Sequence, residues 1–588
     1  MKTAQPILIR TIVLNLFSFL FLFTGTMTFG QTQAEQIDEL LEEYLSFDKF
    51  NGSALIAKDG KVILQKGYGM ANMEWDIPNS PNTKHRLGSV TKQFTAMLIL
   101  QLAEEGKLDL QAPITTYLPN YPKENGDQIT THHLLTHTAG VPNYTAFPKF
   151  FEEDSRDPYT PEEFTEKFQN MELEFTPGEM FNYSNSGYFL LGFLVEKISD
   201  KTYEEMLDEK IFLPLGMKES GFDHHSAILK NRATGYEKNG SEFINSPYLD
   251  MSIPYAAGSL YSTVEDLYLW DQALYTNKLL SQKYMDMYFK PFIPAFGSFH
   301  YAYGWMVGNE AIGNTTDSIA VISHGGGING FNTQISRSLS DKSLIVLLNN
   351  TGGAPLGQIT QSILGIINNK SYDHLKTPLA SKLLEVIETK GIDEGIAYFK
   401  KNKDNKDFDV NENDMNNAGY QLLGSDKTKE AIQVFKLNVD AYPKSSNTYD
   451  SYAEALMISG DNKGAIENYT KAVELNPGNQ NAIDMLTKLG VDTSNLTKEF
   501  EVPGALLESY VGVYELMPTF KITIIKEGNQ LKAQATGQPI MDILAKSNDT
   551  FYVKEVGAQI QFINDENGNI GSLTLFQNGQ EMNGKKVE

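Results

Sequence analysis

Apolar residues recur at helical spacing in some stretches of the first half of the chain and form β-rich runs in others. Residues 36–47 place apolar positions at helical spacing among acidic ones, which predicts an amphipathic helix. Residues 52–58 and 61–69 are β-rich runs joined by an Asp-Gly pair, which predicts an antiparallel hairpin. Residues 89–105 are apolar on most sides of a helix that ends at a glycine, so we expect this helix to be central and buried.

Further along the chain, the pattern predicts more elements around that helix. Residues 187–198 have an apolar helical face, and Ser262 with Glu265 has the spacing of a capping box at the start of another helix. Residues 320–323 and 343–350 have the composition of strands, and a glycine-rich stretch lies between them.

A repeat follows a change of composition near residue 371. Residues 377–401 predict two helices, and the stretch 431–435 recurs at 465–469, which is a period of 34 residues. This period resembles the tetratricopeptide repeat. Two or three copies are few for an independent solenoid, so either a helical spacer or a groove that binds a partner protein is expected.

Short strands and glycine-containing turns dominate residues 503–588. They predict a small antiparallel barrel or sandwich, and we find no candidate chemistry in it.

The N-terminus has the pattern of a secretory signal peptide. Lys2 and Arg10 precede an apolar run over residues 12–23, and small residues follow up to Gly30. We therefore expect cleavage of residues 1–30 and a secreted or periplasmic protein. The alternative is that this segment stays uncleaved as a membrane anchor. We expect no other contact with a membrane.

Composition narrows the function classes. The 588 residues carry a net charge of −25, which makes nucleic acid and anionic membrane surfaces poor partners. The chain has no cysteine, which excludes disulfides and thiolate chemistry. Histidines occur as the adjacent pairs at 132–133 and 224–225, which do not face one site on a helix, so we predict neither a metal site nor a cofactor.

Ser89 and Lys92 are the first candidate for chemistry. They are three residues apart at the start of a helix and therefore share one face. A serine becomes a nucleophile when a neighbouring base takes its proton, and a lysine can be that base if burial lowers its pKa. The alternative is a helix-capping serine beside a solvated lysine, and Ser46 with Lys49 matches the same spacing by accident.

Tyr183 is the second candidate. It lies on a loop between the turn at residues 176–178 and a helix start, where functional groups are often placed. A phenol can act as a general base if a nearby cation lowers its pKa, and the alternative is a half-buried tyrosine with a satisfied hydroxyl. His137, packed in a turn beside a glycine, is expected to be structural.

The third candidate is the stretch from His324 through Gly325 and Gly326 to Gly327. Glycines let a backbone approach a ligand closely and expose N–H groups, which a tetrahedral oxyanion requires. The alternative is an ordinary glycine-rich turn between two strands.

Taken together and in this order, Ser89-x-x-Lys92, Tyr183-x-Asn185 and His324-x-Gly326 resemble the motifs of the serine β-lactamase-related family. The resemblance is to its branch of class C β-lactamases, D-Ala-D-Ala carboxypeptidases and esterases. It implies an α/β fold in which helices flank a β-lactamase-like antiparallel sheet. The predicted domains are a signal peptide over residues 1–30, a serine hydrolase domain over residues 31–370, a helical repeat segment over residues 371–500 and a C-terminal barrel over residues 501–588.

The resemblance also implies residue roles. Ser89 would form an acyl-enzyme, Lys92 would take its proton, Tyr183 would act as an anion or as a proton shuttle, and Asn185 would orient the substrate and Lys92. The backbone N–H groups of Ser89 and Gly327 would form the oxyanion hole.

His324 and Gly326 would contribute to substrate binding. Members of the family that recognise penicillin usually have lysine where His324 stands, and the lysine binds a substrate carboxylate. The histidine favours an esterase or peptidase over a true β-lactamase.

The sequence therefore predicts a secreted serine hydrolase that acts on a small ester, amide or D-amino-acid peptide. The rival serine fold, the α/β-hydrolase, requires Gly-x-Ser-x-Gly, which is missing from the chain. The alternative function is a catalytically idle, penicillin-binding-like domain that binds a partner protein through its repeats.

Overall fold

The computed structural model describes residues 31–239, 242–493, 502–517, 520–553, 556, 558–565, 568–577 and 580–587. The predicted signal peptide lies outside these residues. The chain divides into a first unit, which runs to Ile293 and includes His300–Asp373, and a second unit made of Pro294–Phe299 and His374–Glu588. None of the helices in the described residues is long and apolar enough to cross a membrane.

The first unit combines helices with a large antiparallel sheet. Its helices are α1 (Gln33–Ser46), α2 (Thr91–Glu104), α3 (Lys123–Gly126), α4 (Thr131–Leu135), α5 (Pro161–Thr165), α6 (Asn185–Ser199), α7 (Tyr203–Leu207), α8 (Leu213–Leu215), α9 (Tyr255–Gly258), α10 (Val264–Ala273), α11 (Gln282–Tyr288) and α12 (Leu356–Ile367). The strands as far as residue 349 are β1 (Gly52–Lys58), β2 (Lys61–Tyr68), β3 (Met70–Asn72), β4 (Ile77–Pro78), β5 (His85–Arg86), β6 (Gly221–Phe222), β7 (Tyr236–Asn239), β8 (Glu242–Asn245), β9 (Leu260–Ser262), β10 (Ile293–Pro294), β11 (His300–Tyr301), β12 (Met306–Ala311), β13 (Ser318–Ile328), β14 (Phe331–Arg337) and β15 (Leu344–Asn349).

The large sheet has the strand order β10-β11-β12-β13-β14-β15-β1-β2. The predicted hairpin is present as β1 and β2, and Asp59 and Gly60 adopt the positive φ values of 52° and 71° that this tight turn needs. Helices α1 and α12 pack on strands of this sheet, and Leu55 of β1 and Val346 of β15 join the core around α2 and α6. This arrangement confirms the predicted antiparallel sheet flanked by helices.

The central helix is buried as predicted, but it begins two residues later. Residues Gly88–Val90 form a 3₁₀ turn, and α2 follows from Thr91, with every residue buried up to Ala103. The N-cap of α2 is Val90 rather than Ser89, and Lys92 has no exposed surface. The alternative of a capping serine beside a solvated lysine is therefore wrong.

The predicted capping box of Ser262 and Glu265 is also wrong. Ser262 is the last residue of β9, where it pairs with His85. The cap of α10 is Thr263, whose side chain accepts a hydrogen bond from the backbone N–H of Asp266. Strand pairing thus shifts the helix start by one residue.

The glycine-rich stretch belongs to a strand rather than to a turn. Gly325, Gly326 and Gly327 lie within β13 and pair with residues of β14. The turn comes after them, at Gly330, which has a φ of 74°. Pairing with β14 gives Gly325, Gly326 and Gly327 their strand conformation, which their local composition does not predict.

The second unit contains a helical segment and a barrel. Its helices are α13 (Leu379–Lys390), α14 (Ile392–Asn402), α15 (Glu412–Gly424), α16 (Thr428–Ala441), α17 (Ser446–Ser459), α18 (Asn462–Leu475), α19 (Gln480–Lys488) and α20 (Gly504–Tyr510). Its strands are β16 (Thr377–Pro378), β17 (Phe408–Asp409), β18 (Gly512–Met517), β19 (Phe520–Glu527), β20 (Gln530–Ala535), β21 (Met541–Ala545), β22 (Thr550–Val553), β23 (Ala558–Asn564), β24 (Ile570–Gln577) and β25 (Gln580–Lys586).

The period of 34 residues is present in the helices. Helices α15, α17 and α19 begin 34 residues apart, and so do α16 and α18. Ala431 and Ala465, which hold equivalent positions, are both fully buried. The assignment of this segment to the tetratricopeptide repeats stays a prediction.

Strands β18 to β25 form a closed barrel, in which β25 pairs with β18. This confirms the predicted C-terminal barrel and excludes the sandwich. Tyr510, Tyr514 and Phe562 pack together in its core.

Gly88 provides a test of how the turn before α2 is fixed. Its φ is +54°, and a Cβ there would lie 2.9 Å from the backbone nitrogen of Gly327. We expect Gly88→Ala to lower the free energy of unfolding by about 2 kcal/mol or more, because it adds both strain and a collision with backbone. Denaturant unfolding measures this change.

The matched control is Gly106→Ala. Gly106 has a φ of +71°, but nothing lies within 4 Å of its added Cβ. The Gly106→Ala variant therefore adds backbone strain but no collision, and we expect it to lower the free energy of unfolding by about 1 kcal/mol. Equal losses for the two variants would contradict the importance of the close approach between Gly88 and Gly327.

Candidate active site

The turn that carries Ser89 is held from two sides. The backbone N–H of Leu87 donates to the Leu260 carbonyl at 2.8 Å, and the Leu87 carbonyl accepts a hydrogen bond from Thr333 Oγ1 at 2.7 Å. Leu260 belongs to β9 and Thr333 to β14. Ser89 is therefore fixed by long-range contacts.

Lys92 lies one helical turn after Ser89 and contacts it directly. Its Nζ lies 3.0 Å from Ser89 Oγ, 2.8 Å from Asn185 Oδ1 and 2.9 Å from the Ala257 carbonyl oxygen. None of these three partners is a carboxylate. Because the side chain is completely buried, desolvation lowers the pKa of the Lys92 amine well below its ordinary value.

The partners of Lys92 determine where its lone pair points once the amine is neutral. The oxygens of Asn185 and Ala257 can only accept, so they take the two N–H bonds of the amine. The hydroxyl of Ser89 can donate, and it is the remaining partner. The neutral amine thus directs its lone pair at the Ser89 proton, which is the geometry of a general base.

Tyr183 stands beside this pair on the loop that precedes α6. Its ring centroid lies 4.9 Å from Lys92 Nζ, and its hydroxyl interacts with the Ser89 side chain. Burial raises the pKa of the Tyr183 phenol, although the hydrogen bond with Ser89 acts in the opposite direction. The sequence analysis required a nearby cation to lower this pKa, whereas burial raises it although Lys92 lies over the ring.

His137 holds the loop of Tyr183 in place. Its Nδ1 accepts a hydrogen bond from the backbone N–H of Ser184 at 3.1 Å, and its carbonyl accepts one from Asn182 at 2.9 Å. Its ring lies 4.1 Å from that of Tyr183, centroid to centroid. These contacts agree with the structural role expected for His137.

Asn185 is the first residue of α6 and reaches into the same cluster. Its Oδ1 accepts from Lys92, and its backbone N–H donates to Asn143 Oδ1 at 3.1 Å. The side chain is partly exposed. Asn185 therefore contacts Lys92 while part of its side chain remains accessible to a substrate.

His324 lies in the wall of the site and is nearly fully buried. Its Nδ1 donates to the Gly325 carbonyl at 2.6 Å, because a carbonyl can only accept, and its Nε2 then accepts from the Tyr301 hydroxyl at 3.0 Å. Burial lowers the pKa of His324 to about 4, and the nearby Lys92 acts in the same direction. His324 is therefore uncharged with both ring nitrogens engaged, and its predicted contact with substrate stays a prediction.

Gly326 and Gly327 place bare backbone beside Ser89. A Cβ on Gly326 would collide with the Leu87 carbonyl and lie 3.1 Å from the backbone nitrogen of Ser89. Gly327 is exposed and approaches Gly88 through its own backbone. The structure thus brings Ser89 and Gly327 together, and the oxyanion hole formed by their N–H groups stays a prediction.

Sequence reasoning missed Tyr301 and the carbonyl of Ala257. Tyr301 fixes the tautomer of His324, and Ala257 takes one N–H of Lys92. No local signal in the sequence marks either residue. Contacts across the fold give both residues their role.

The adjacent histidines are engaged elsewhere. His132 bonds to the Tyr303 hydroxyl, His133 caps α4, His224 pairs with Glu204 and His225 bonds to the Leu249 carbonyl. In the part of the chain that the structure describes, no group of side chains could hold a metal ion.

Two family models match the chain. The model described as Beta-lactamase matches residues 37–361, and one described as a domain of unknown function (DUF3471) matches residues 497–586. Among curated proteins, the putative penicillin-binding protein PbpX of Bacillus subtilis (strain 168) is 32% identical over 345 residues, which cover 58% of this chain and 82% of that protein. Penicillin-binding protein 4* of the same strain is 28% identical over 336 residues, which cover 54% and 72%.

Two solved structures share the fold. The octameric penicillin-binding protein homologue from Pyrococcus abyssi aligns with a TM-score of 0.52 and 22% identity, over 93% of this chain and 99% of that chain. The D-amino acid amidase from Ochrobactrum anthropi SV3 aligns with a TM-score of 0.51 and 24% identity, over 57% and 98%.

The state of His324 can be observed directly. In ¹⁵N-histidine NMR spectra at about pH 6, we expect its ring to be neutral with the proton on Nδ1, because burial lowers its pKa to about 4. Tyr301→Phe removes the donor to Nε2, so the variant should lose this single tautomer. A doubly protonated His324 at this pH would contradict the assignment.

Proposed function

The chain belongs to the Beta-lactamase family, and from this membership and the contact between Ser89 and Lys92 we propose that it is a serine hydrolase working through an acyl-enzyme. The observation that carries the proposal is the fully buried Lys92 amine, which lies 3.0 Å from Ser89 Oγ and whose pKa desolvation lowers well below its usual value. A buried amine beside a serine hydroxyl supplies the base that a serine nucleophile lacks.

In the first step of the proposed mechanism, Ser89 Oγ forms a bond to the substrate carbonyl carbon while Lys92 takes the hydroxyl proton. The carbonyl oxygen becomes an oxyanion, which the N–H groups of Ser89 and Gly327 would stabilise. Removal of one such donor typically costs about 10²–10³ in rate.

In the second step, the bond to the leaving group breaks and the neutral phenol of Tyr183 protonates the departing oxygen or nitrogen. The raised pKa of Tyr183 favours this proton-shuttle role over that of a standing phenolate. The proton held by Lys92 then restores the phenol. In deacylation, water forms a bond to the acyl carbon and gives its proton to the same pair of groups. The bond between the acyl carbon and Ser89 Oγ then breaks, Ser89 Oγ takes that proton back, and the carboxylic acid product leaves.

The proposed substrate is a small ester, amide or D-amino-acid peptide. The element that would present a cation to a substrate carboxylate holds His324 instead, and burial lowers the pKa of this histidine to about 4, so its ring is neutral near pH 7. A carboxylate buried without a partner is strongly disfavoured. We therefore favour substrates without a free carboxylate next to the scissile bond, which makes an esterase or amidase more suitable than a carboxypeptidase or a true β-lactamase.

We further propose that the protein is secreted or periplasmic, with residues 1–30 removed. The pattern of the N-terminal sequence supports this location. The mass of the mature N-terminus tests it.

Covalent labelling tests the nucleophile. After incubation with a fluorophosphonate, intact-protein mass should show one adduct on wild type and none on Ser89→Ala. The matched control is Ser46→Ala, because Ser46 has the same spacing to a lysine but is exposed and donates to the Glu43 carbonyl. This variant should retain the adduct.

A folded wild-type protein without an adduct would support the rival function, in which the domain is catalytically idle and serves to bind a partner. A separate incubation with a penicillin gives a second result. An adduct there would move the substrate towards D-Ala-D-Ala-like peptides despite His324.

A pair of matched substrates tests the preference on the leaving-group side. We expect acetyl-D-Ala-D-Ala-amide to have a kcat/KM about tenfold or more above that of acetyl-D-Ala-D-Ala with a free carboxylate, because no cation offsets the desolvation of the carboxylate. Release of the C-terminal product measures both rates. A preference for the free acid would contradict the substrate class while leaving the acyl-enzyme intact.

A further inference from the structure

Tyr188 is a buried residue beside Lys92 that the proposed mechanism does not use. It lies on α6 three residues after Asn185, so both side chains project from one face of this helix. Its ring has no exposed surface, and the ring centroid lies 5.5 Å from Lys92 Nζ. The Tyr188 hydroxyl donates to the carbonyl of Leu135, the last residue of α4, at 2.9 Å, which holds the ring in place.

The proposed base step creates a positive charge on the buried Lys92 amine. The oxygen atoms around its Nζ belong to Ser89, Asn185 and Ala257, and none of them carries a formal charge. Among the residues that the structure describes, Lys92 forms no ion pair with a carboxylate. A buried ammonium group without compensation is strongly disfavoured, so a further source of negative potential would strengthen this base.

Two aromatic rings face Lys92 Nζ. The centroid of Tyr183 lies 4.9 Å away and that of Tyr188 lies 5.5 Å away. The negative face of an aromatic ring attracts a cation at such distances, and the attraction is stronger where water is excluded. Tyr183 exchanges a proton in the proposed mechanism. Burial, by contrast, raises the pKa of Tyr188 well above its usual value, so Tyr188 remains a neutral phenol and interacts through its ring face.

The remaining titratable groups that interact with Lys92 are two histidines. His137 follows α4 and His324 belongs to β13. Burial lowers the pKa of His137 well below its usual value and that of His324 to about 4. Both rings are therefore neutral near pH 7, and neither opposes the arrival of a proton on Lys92.

We propose that the ring face of Tyr188 stabilises the ammonium form of Lys92 by a cation–π interaction and thereby strengthens it as the base for Ser89. This inference rests on the proposed function. As Lys92 takes the Ser89 proton, the new positive charge lies over a ring that is already in position. The alternative is that Tyr188 only fills the core, and then the shape of its ring matters but its electron distribution does not.

A phenylalanine with three fluorine atoms on its ring, placed at position 188, separates the two roles. Fluorine withdraws electrons from the ring face and changes its shape little. The reference variant is Tyr188→Phe, which keeps the ring face and loses the hydroxyl. In both proteins, used as full chains, we measure the rate constant of labelling by a fluorophosphonate from about pH 5 to about pH 9.

The labelling rates have a definite expected order. We expect Tyr188→Phe to label within about threefold of wild type at the plateau of the pH profile, because its ring face is retained. The fluorinated protein should label about fivefold more slowly than Tyr188→Phe, or worse, because its ammonium form loses the cation–π attraction. Equal plateau rates for these two proteins would overturn the proposal.

The pH dependence distinguishes the interaction from a packing defect. Loss of the attraction disfavours the ammonium form, so the titration midpoint of Lys92 should fall by about 0.5 in pH or more relative to Tyr188→Phe. Disturbed packing would admit water to Lys92, favour the ammonium form and raise the midpoint. A raised or unchanged midpoint would therefore overturn the proposal.

NMR spectra of ¹³C-lysine-labelled protein follow this midpoint without requiring activity, and Lys92→Met assigns the signal. If folded wild type takes no fluorophosphonate label, the proposed function fails, whereas the midpoint still decides whether Tyr188 interacts with the ammonium form.

The matched control places the same fluorinated residue at Tyr121. Tyr121 is buried in the same unit, where it packs beside Gly126. The labelling rate and the Lys92 midpoint should both stay at their wild-type values. Changes equal to those at position 188 would show a general effect of the fluorinated residue and would overturn the proposal.

Discussion

The site depends on the burial of the Lys92 amine. An exposed lysine is protonated at neutral pH and cannot act as a base, so the proposed activation of Ser89 requires α2 to be enclosed. The three partners of the amine come from the turn before α2, from the start of α6 and from α9. The environment of the amine is therefore completed only when these separate parts of the first unit have packed together.

The sequence predicted well what local periodicity determines. The helix α1, the hairpin of β1 and β2, the buried α2 and the closed C-terminal barrel follow from the spacing of apolar residues and from turn chemistry. Ser89, Lys92, Tyr183 and Asn185 were identified by their order and spacing, and the structure gathers them at one place. The features that could not be predicted depend on contacts between residues that are distant in the chain.

Three particular residues show this limit. Ser262 has a good capping spacing, but pairing with His85 makes it part of a strand. Gly326 resembles a turn residue, but pairing with Thr333 places it within β13. Tyr301 has no local signal at all, because only its contact with His324 across the fold gives it a role. A local pattern of residues records neither which distant strands pair nor the tautomer of a distant histidine.

In the cluster at Ser89, burial lowers the pKa values of Lys92 and His324, and the polar atoms of both side chains are partnered. His137 Nε2 departs from this pattern, because it is buried without a hydrogen-bond partner in the described structure. In the proposed mechanism, negative charge develops in this cluster during the reaction, and preorganised hydrogen-bond donors stabilise such charge most strongly.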